Sequence, residues 1–417
     1  MDGDVRRSEV GSVRRRPADR RQTILRAATA AFARNGYHAT SMADVAGEVG
    51  ISSAALYRHF RGKQELLGQS LLSGLESVLS RLAIAQVTGP DAVLGALTTA
   101  CLELRGLPRL WQLEVRNLAA ADRIAVLARV VRLNGFLRTA IRVRRPDLGP
   151  DDVEFLGWCV LSVAVSPSYH QVQLPEATFA RVLDAIVGAV VGAELPVAGD
   201  QVTSVSAGPR RGRRTVVDNV DPTLRTERMI SAAARLFNTY GYGAVGIEDI
   251  GAAVGVSGPS LYHHFASKVD LLNEIVDRNE QWIRLYTSRA MAEADTPSDA
   301  LRGLLRYFVR FAIREPDLLG TTLSEVGHLP GEQASRYRRA HRDGIVQWVR
   351  MLQVVRPDVS ADAARVQIQA MTCIVIDAVR NPRLTGRNDL ATVLVEVGDR
   401  VVFADTSLAI TRRLSGA

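Results

Sequence analysis

Residues 24–67 of this chain are written a second time at residues 229–272. The two segments align without a gap at a constant offset of 205, and 17 of the 44 pairs are identical. Further on, the run Val-Arg-Arg-Pro-Asp-Leu at 143–148 matches Val-Val-Arg-Pro-Asp-Val at 354–359 at an offset of 211. Leu-Glu-Val at 113–115 meets Ser-Glu-Val at 324–326 at that same offset. A repeat this long means one folding unit used twice, each copy of about two hundred residues large enough for its own core. Residues 196–222 are rich in Gly, Ser, Pro and Arg, carry no helical apolar stripe, and read as a linker.

The periodic stretches are helical. Ile24, Ala28, Ala31 and Phe32 share one face, as do Met229, Ala233, Leu236 and Phe237 in the second copy. Gly36 and Gly241 stand where a left-handed residue closes a helix. Residues 123–143, 151–166, 178–193, 361–379 and 389–403 are long, apolar on at least one face, and bounded by Pro or Gly. No stretch alternates with period two for long enough to require a sheet, so the expected fold class is all-α.

Composition narrows the function classes. The 417 residues carry 47% apolar and 23% charged side chains, which excludes wholesale disorder. The longest apolar run, residues 185–193, is too short to span a bilayer, and residues 1–21 lack the apolar core of a secretion signal. The expected location is the cytoplasm, with no membrane partner. Cys101, Cys159 and Cys373 are too far apart in sequence to suggest disulfides or a zinc site, and no metal or cofactor is expected. The formal net charge of +8 suits a polyanionic partner but is weak evidence by itself. Fifty Arg accompany only two Lys, Lys63 and Lys268, and these occupy the same position of the repeat. No Gly-x-Ser-x-Gly elbow, phosphate loop or His-Glu-x-x-His is present, and His341-Arg342-Asp343 lacks the Asn and glycine-rich loop of a kinase. The chain is not expected to be an enzyme.

Within each repeat three short helices can be placed. The first ends at Asn35. The second starts after Ser41, which pairs with Asp44 as a capping box, and ends at Val49, where Gly50 permits a sharp turn. The third starts after Ser52 and runs to Phe60. Val45, Val49, Leu56 and Phe60 would pack inward, matched by Ile250, Val254, Leu261 and Phe265. Two short helices joined by a Gly-containing turn form a helix-turn-helix, whose second helix fits a DNA major groove.

The run from Gly50 to Lys63, with Leu56-Tyr57, Phe60 and Lys63, and its copy from Gly255 to Lys268 resemble the DNA-binding domain of the tetracycline-repressor (TetR) family. The resemblance covers about 50 residues in each half. A chain with two such domains is similar to the tandem regulators of that family, among them a repressor of a mycobacterial mammalian-cell-entry operon, where the segment around Trp111 is also alike. The resemblance implies residues 1–18 as a basic arm, 19–68 and 223–273 as helix-turn-helix domains, 69–196 and 274–417 as helical ligand and dimerisation domains, and 197–222 as the linker. It also implies double-stranded DNA and a small apolar, lipid- or acyl-type effector as partners. The last two helices of each copy, carrying Phe155, Val160, Val163, Ile186 and Val190, would form a four-helix bundle inside one chain, a pseudo-dimer. Further pairing of whole chains stays open.

The matched positions have a chemistry of their own. Hydroxyls, ammonium groups and helix N-termini bind phosphate, which supplies most DNA affinity. Thr40, Ser41, Ser52, Tyr57 and Lys63 are the candidates in the first copy, and Ser257, Tyr262 and Lys268 in the second. Val245 and Gly246 replace the hydroxyls of Thr40 and Ser41, so that contact is in doubt there. Base reading falls to Ser53, Ala54, Ala55 and Arg58, against Gly258, Pro259, Ser260 and His263. Unlike readers imply unlike half-sites and a non-palindromic operator. His59 and His264 sit beside the buried Phe, held by backbone or phosphate and not by metal. The Arg-rich residues 14–21, and Arg210, Arg211, Arg213 and Arg214, are either solvated tails or extra DNA contacts. Trp111, Glu114, Trp158, Tyr307, Phe308, Phe311, Glu325 and His328 are candidates for an effector pocket or for ordinary core. A repressor released by its ligand is the expected function; a sequence-indifferent nucleoid protein is the alternative.

Overall fold

The computed structural model describes residues 17–196 and 222–407. Most of the expected basic arm and linker, including the four linker arginines, lies outside the described residues. Among those described, nine α-helices in each copy carry the fold and no strand occurs. The first copy runs α1 Pro17–Asn35, α2 Met42–Val49, α3 Ser53–Tyr57, α4 Lys63–Thr88, α5 Pro90–Glu103, α6 Leu107–Glu114, α7 Ala120–Arg144, α8 Pro150–Val165 and α9 Glu176–Val191. The second runs α10 Pro222–Tyr240, α11 Ile247–Val254, α12 Gly258–Tyr262, α13 Lys268–Ala292, α14 Pro297–Arg314, α15 Pro316–Glu325, α16 Gly331–Val355, α17 Ala361–Arg380 and α18 Leu390–Val402. The first four helix starts keep the offset of 205; α7/α16 and α8/α17 keep 211. The expected border at residue 68 falls inside α4, so no break in the chain separates the helix-turn-helix from the helices after it.

Among the described residues two compact units form: 17–77 with 109–129, and 78–108 with 130–196 and 222–407. In the first, Ile24, Ala28, Ala31, Phe32, Val45, Leu56 and Phe60 are fully buried, and burying each large apolar chain contributes about 1.5–3 kcal/mol. The equivalent core of the second copy, with Met229, Phe237, Ile250 and Leu261, lies in the second unit. Val49 and Val254 are only half-buried.

The second unit also holds the expected four-helix bundle. α8 packs on α9 and α17, and α18 packs on α9 and α17. Phe155, Val160, Val163, Ile186 and Val190 are all solvent-free. Polar links cross between the copies, among them Arg383 with Glu154 and Arg400 with Glu194, each at 3.6 Å. Ser162 Oγ donates to Asp377 Oδ2 at 2.8 Å. Arg387 donates to Asp152 in the first turn of α8 and to Asp389, each at 2.8 Å, with its guanidinium 5.2 Å from the centre of the Phe155 ring. A staple recurs in both copies and explains the second repeated block. Arg145 bonds Asp147 and the carbonyls of Val191 and Ala193 after α9, while Arg356 bonds Asp358 and the carbonyl of Phe403 after α18. No described helix is long and apolar enough to cross a membrane.

Candidate nucleic-acid interface

Each helix-turn-helix is built by its caps. In the first copy Ser41 Oγ accepts the Asp44 N–H at 3.1 Å, while the Asp44 carboxylate accepts the Ser41 N–H at 2.8 Å. The Ser41 backbone N–H first, and the Ser41 hydroxyl second, hold the Asp44 carboxyl below the usual carboxylate range. After α2, Gly50 adopts φ 67°, and Ile51 N–H reaches the Ala46 carbonyl at 3.0 Å. Gly255 at φ 76° and Val256 N–H to Gly251 at 2.9 Å repeat the motif. A left-handed residue is required at both turns, and glycine adopts it without strain. Ser52 then caps α3, accepting the Ala55 N–H at 3.2 Å. Ser257 occupies the same place before α12 with no side-chain cap bond. At Gly246 only the Asp249 half of the capping box remains, at 2.7 Å.

The recognition helices are shorter than expected. α3 ends at Tyr57, and the His59 and Phe60 N–H groups both turn back to the Leu56 carbonyl. Phe60 is therefore core without being helical. α12 ends likewise at Tyr262. Tyr57 and Tyr262 are 54% and 53% exposed, so both phenols face solvent. Ala54, Arg58 and His59 are exposed, as are Pro259, His263 and His264, with Ser53, Ala55, Gly258 and Ser260 partly so. His264 Nδ1 meets Thr226 Oγ1 at 3.1 Å. The five-residue reading turns thus present Ser-Ala-Ala and Gly-Pro-Ser to the outside.

Three expectations are corrected by the geometry. Thr40 is fully buried, and its hydroxyl donates to the Gly36 and Ala31 carbonyls at 2.8 and 3.3 Å. It closes α1 and has no free face for phosphate. Its replacement by Val245, also buried, therefore removes no surface contact. Lys268 donates to the Tyr242 and Val245 carbonyls at 2.8 and 2.9 Å, with Nζ 4.2 Å from the Tyr242 ring centre. Burial pushes that ammonium's pKa down. Lys63 makes the same ring contact with Tyr37 at 4.5 Å but only one carbonyl bond, to His38 at 3.3 Å. A compact ammonium with three rotatable donors suits this pocket, whereas a planar guanidinium does not. Lys268→Met is therefore expected to lower the melting temperature of the second helix-turn-helix, at about 1 kcal/mol per lost bond, with the salt slope of DNA binding unchanged. Lys63→Met is expected to lower that slope by about one instead. Equal slopes in both variants and the parent would remove Lys63 from the interface.

The third correction concerns the pocket candidates, which fall into several groups; Glu325 and His328 meet in one of them, His328 Nδ1 lying 3.5 Å from Glu325 Oε2. Glu114 accepts the Tyr37 N–H at 3.1 Å and the Asn117 side chain at 2.6 Å. Glu325, fully buried, accepts the Tyr242 N–H at 3.1 Å and the Ser324 hydroxyl at 2.7 Å. His328, exposed, stacks against Tyr242 with ring centres 4.9 Å apart. In both copies, then, a glutamate at the end of α6 or α15 grips the turn after the first helix, on the same tyrosine the lysine covers. The shared offset of 211 is the signal that pairs these glutamates. Phe311 is buried against Trp282 at 5.5 Å, and Tyr307 extends that stack through Tyr286 at 4.7 Å. Phe308 meets Trp348 edge-on at 6.3 Å. Trp158 on α8 donates to Glu154 at 3.4 Å, and Trp111 is half-buried on α6.

Fold and interface together define an all-α protein with two helix-turn-helix modules of the TetR architecture in one chain. The family described as "Bacterial regulatory proteins, tetR family" matches residues 24–69 and 229–275, the two segments just described. The HTH-type transcriptional repressor KstR2 of Rhodococcus jostii (strain RHA1) is 31% identical over 115 residues, covering 26% of this chain and 56% of that protein. The HTH-type transcriptional activator FasR of Mycolicibacterium smegmatis is 30% identical over 106 residues, covering 25% and 46%. The chain thus spans about half the length of the curated relatives it matches. A TetR-family transcriptional regulator from Bordetella parapertussis 12822 of solved structure aligns at 21% identity and a TM-score of 0.39, covering 43% of this chain and 95% of that one.

Proposed function

We propose that this protein is a sequence-specific, DNA-binding transcriptional regulator of the cytoplasm, most simply a repressor released by a small, largely apolar effector. One chain supplies both readers, so it acts as its own pseudo-dimer on an asymmetric operator. The observation that carries this reading is the pair of helix-turn-helix elements with unlike outward residues, Ser53-Ala54-Ala55 and Gly258-Pro259-Ser260. Tyr57, Tyr262, Arg58 and Lys63 supply phosphate contacts, and the small residues bring each helix near the groove floor for methyl contacts with thymine. The chemistry proposed is binding and no catalysis. The likeness to a mammalian-cell-entry operon repressor belongs to this same proposal.

The glutamate grips suggest how a signal travels. An effector that favours a shifted α6 or α15 withdraws Glu114 or Glu325 from the turn that orients the reading helices. Differential affinity for that state lowers DNA affinity by the same free energy. Competition binding tests the function: a labelled natural operator is challenged with random duplex at physiological salt. A ratio of at least about 10³ supports a specific regulator, and a shallow ratio favours the sequence-indifferent nucleoid protein.

A further inference from the structure

The interiors of the two copies diverge at several positions, Leu156 against Gln367 among them, and one group of these lies on α13 and α16. In the first copy Leu75 and Leu79 on α4, with Val126 and Val130 on α7, are buried apolar core. The repeat offsets put Glu280 and Arg284 on α13, with Tyr337 and His341 on α16, at those four positions. Glu280 and Tyr337 stay buried at their positions, whereas Arg284 and His341 are exposed. Gly74 has likewise become Asn279, which is buried.

Several buried acceptor oxygens on these two helices have no hydrogen-bond partner. Glu280 is nine-tenths buried, with one carboxylate oxygen accepting from Arg284 at 2.8 Å and the other without a partner. Arg284 is itself 73% exposed and approaches from the solvent side. The side-chain oxygens of Asn279 and of Gln333, one turn before Tyr337, are buried and likewise unpartnered. Tyr337 is buried against this group; burial first and the Glu280 charge second raise its pKa, and Asn279 hydrogen-bonds it. Its ring lies 6.0 Å from that of His341. Buried acceptors left unpaired cost stability, and a buried carboxylate costs more, so this cluster is an expense the sister copy avoids with leucine and valine.

We propose that the α13–α16 cluster of the second module is the effector site and that it takes the protonated amine of an otherwise apolar ligand. The inference rests on the effector reading above and names the ligand's polar end. An ammonium supplies a positive charge and donors for the free oxygen of Glu280 and for the amide oxygen of Asn279, both of them residues that face Tyr337. A carboxylate or phosphate head meets the Glu280 charge there, and the guanidinium beside it, Arg284, is already bonded to that carboxylate. The first module, with Leu75, Leu79, Val126 and Val130, has no such site and serves as the unliganded partner.

Calorimetric titration of the full chain with octylamine, 1-octanol and octanoate tests this. Octylamine is expected to bind with at least about tenfold higher affinity than the alcohol or the acid, the margin of one charge-assisted bond. Glu280→Gln, which keeps the shape, is expected to remove that margin while the melting temperature stays within a few degrees of the parent. Glu280→Leu with Tyr337→Val, the residues of the first module, is expected to give a more stable chain blind to octylamine. Equal affinity for amine and alcohol, an unchanged margin in Glu280→Gln, or no amine binding at millimolar concentration would each overturn the site. Operator binding without any probe separates the two claims. A chain that binds operator but ignores octylamine overturns this site alone, and one that binds octylamine through Glu280 but prefers no DNA sequence overturns the regulatory reading alone.

Discussion

Exchanging the second reader for the first is expected to lower affinity for the natural operator about a hundredfold and to raise affinity for a palindrome of the first half-site by a similar factor. The exchange is Gly258→Ser, Pro259→Ala, Ser260→Ala and His263→Arg. It alters only the exposed turn of α12 and the residue that ends it. A Cβ added at Gly258 meets nothing nearer than Glu248 Oε1 at 3.6 Å, an ordinary contact, so the helix accepts serine without strain. Each mismatched base pair costs about 1–3 kcal/mol, and a reading turn of this size addresses two or more. Quantitative binding to the two duplexes at one fixed salt concentration measures the outcome. If the exchanged chain keeps the natural operator's affinity, these residues do not read bases.

The second large effect concerns the bundle. Val163 is solvent-free on α8, next in sequence to Ser162, whose hydroxyl holds Asp377 across the copies. Val163→Asp places an unpaired charge in that apolar interior, at a cost of at least about 3 kcal/mol. The variant is expected to lose about a hundredfold or more in operator affinity. Two readers joined through one bundle act at high effective concentration, and a loosened bundle forfeits that gain. Binding to a lone half-site is expected to change little, because the caps of α2 and α3 lie in the other compact unit. Full-operator affinity that survives Val163→Asp would mean that the bundle does not set the spacing of the readers.

Much of the fold is legible in the sequence, because the repeat supplies two readings of each element. Ser41 with Asp44, and Gly36, Gly50 and Gly241, mark helix ends by local hydrogen bonds and local backbone angles, and those ends are where expected. The recognition helix is overestimated for an equally local reason. Leu56 and Phe60 keep helical spacing although the chain has already turned at Arg58, and periodicity does not register a change of backbone that preserves burial.

Long-range contacts are what the sequence hides. Thr40 and Ser41 are neighbours with the same chemistry, yet one closes the preceding helix and the other caps the next. The two lysines share a repeat position, which is visible; that their ammonium groups bond carbonyls 23 to 26 residues earlier is not. Glu114 and Glu325 stand 77 and 83 residues from the turns they hold, so their aromatic and polar neighbours suggested a pocket. The polar cluster around Glu280 becomes visible only when each residue of one copy is set against its counterpart in the other.

Selection of bound sequences from a random duplex pool by the full-length chain, with the mass of the resulting complex, tests the central claim most directly. The account predicts one motif made of two unlike half-sites, occupied by a single 45.3 kDa chain. A palindromic motif, or a site filled only by two chains, would contradict it.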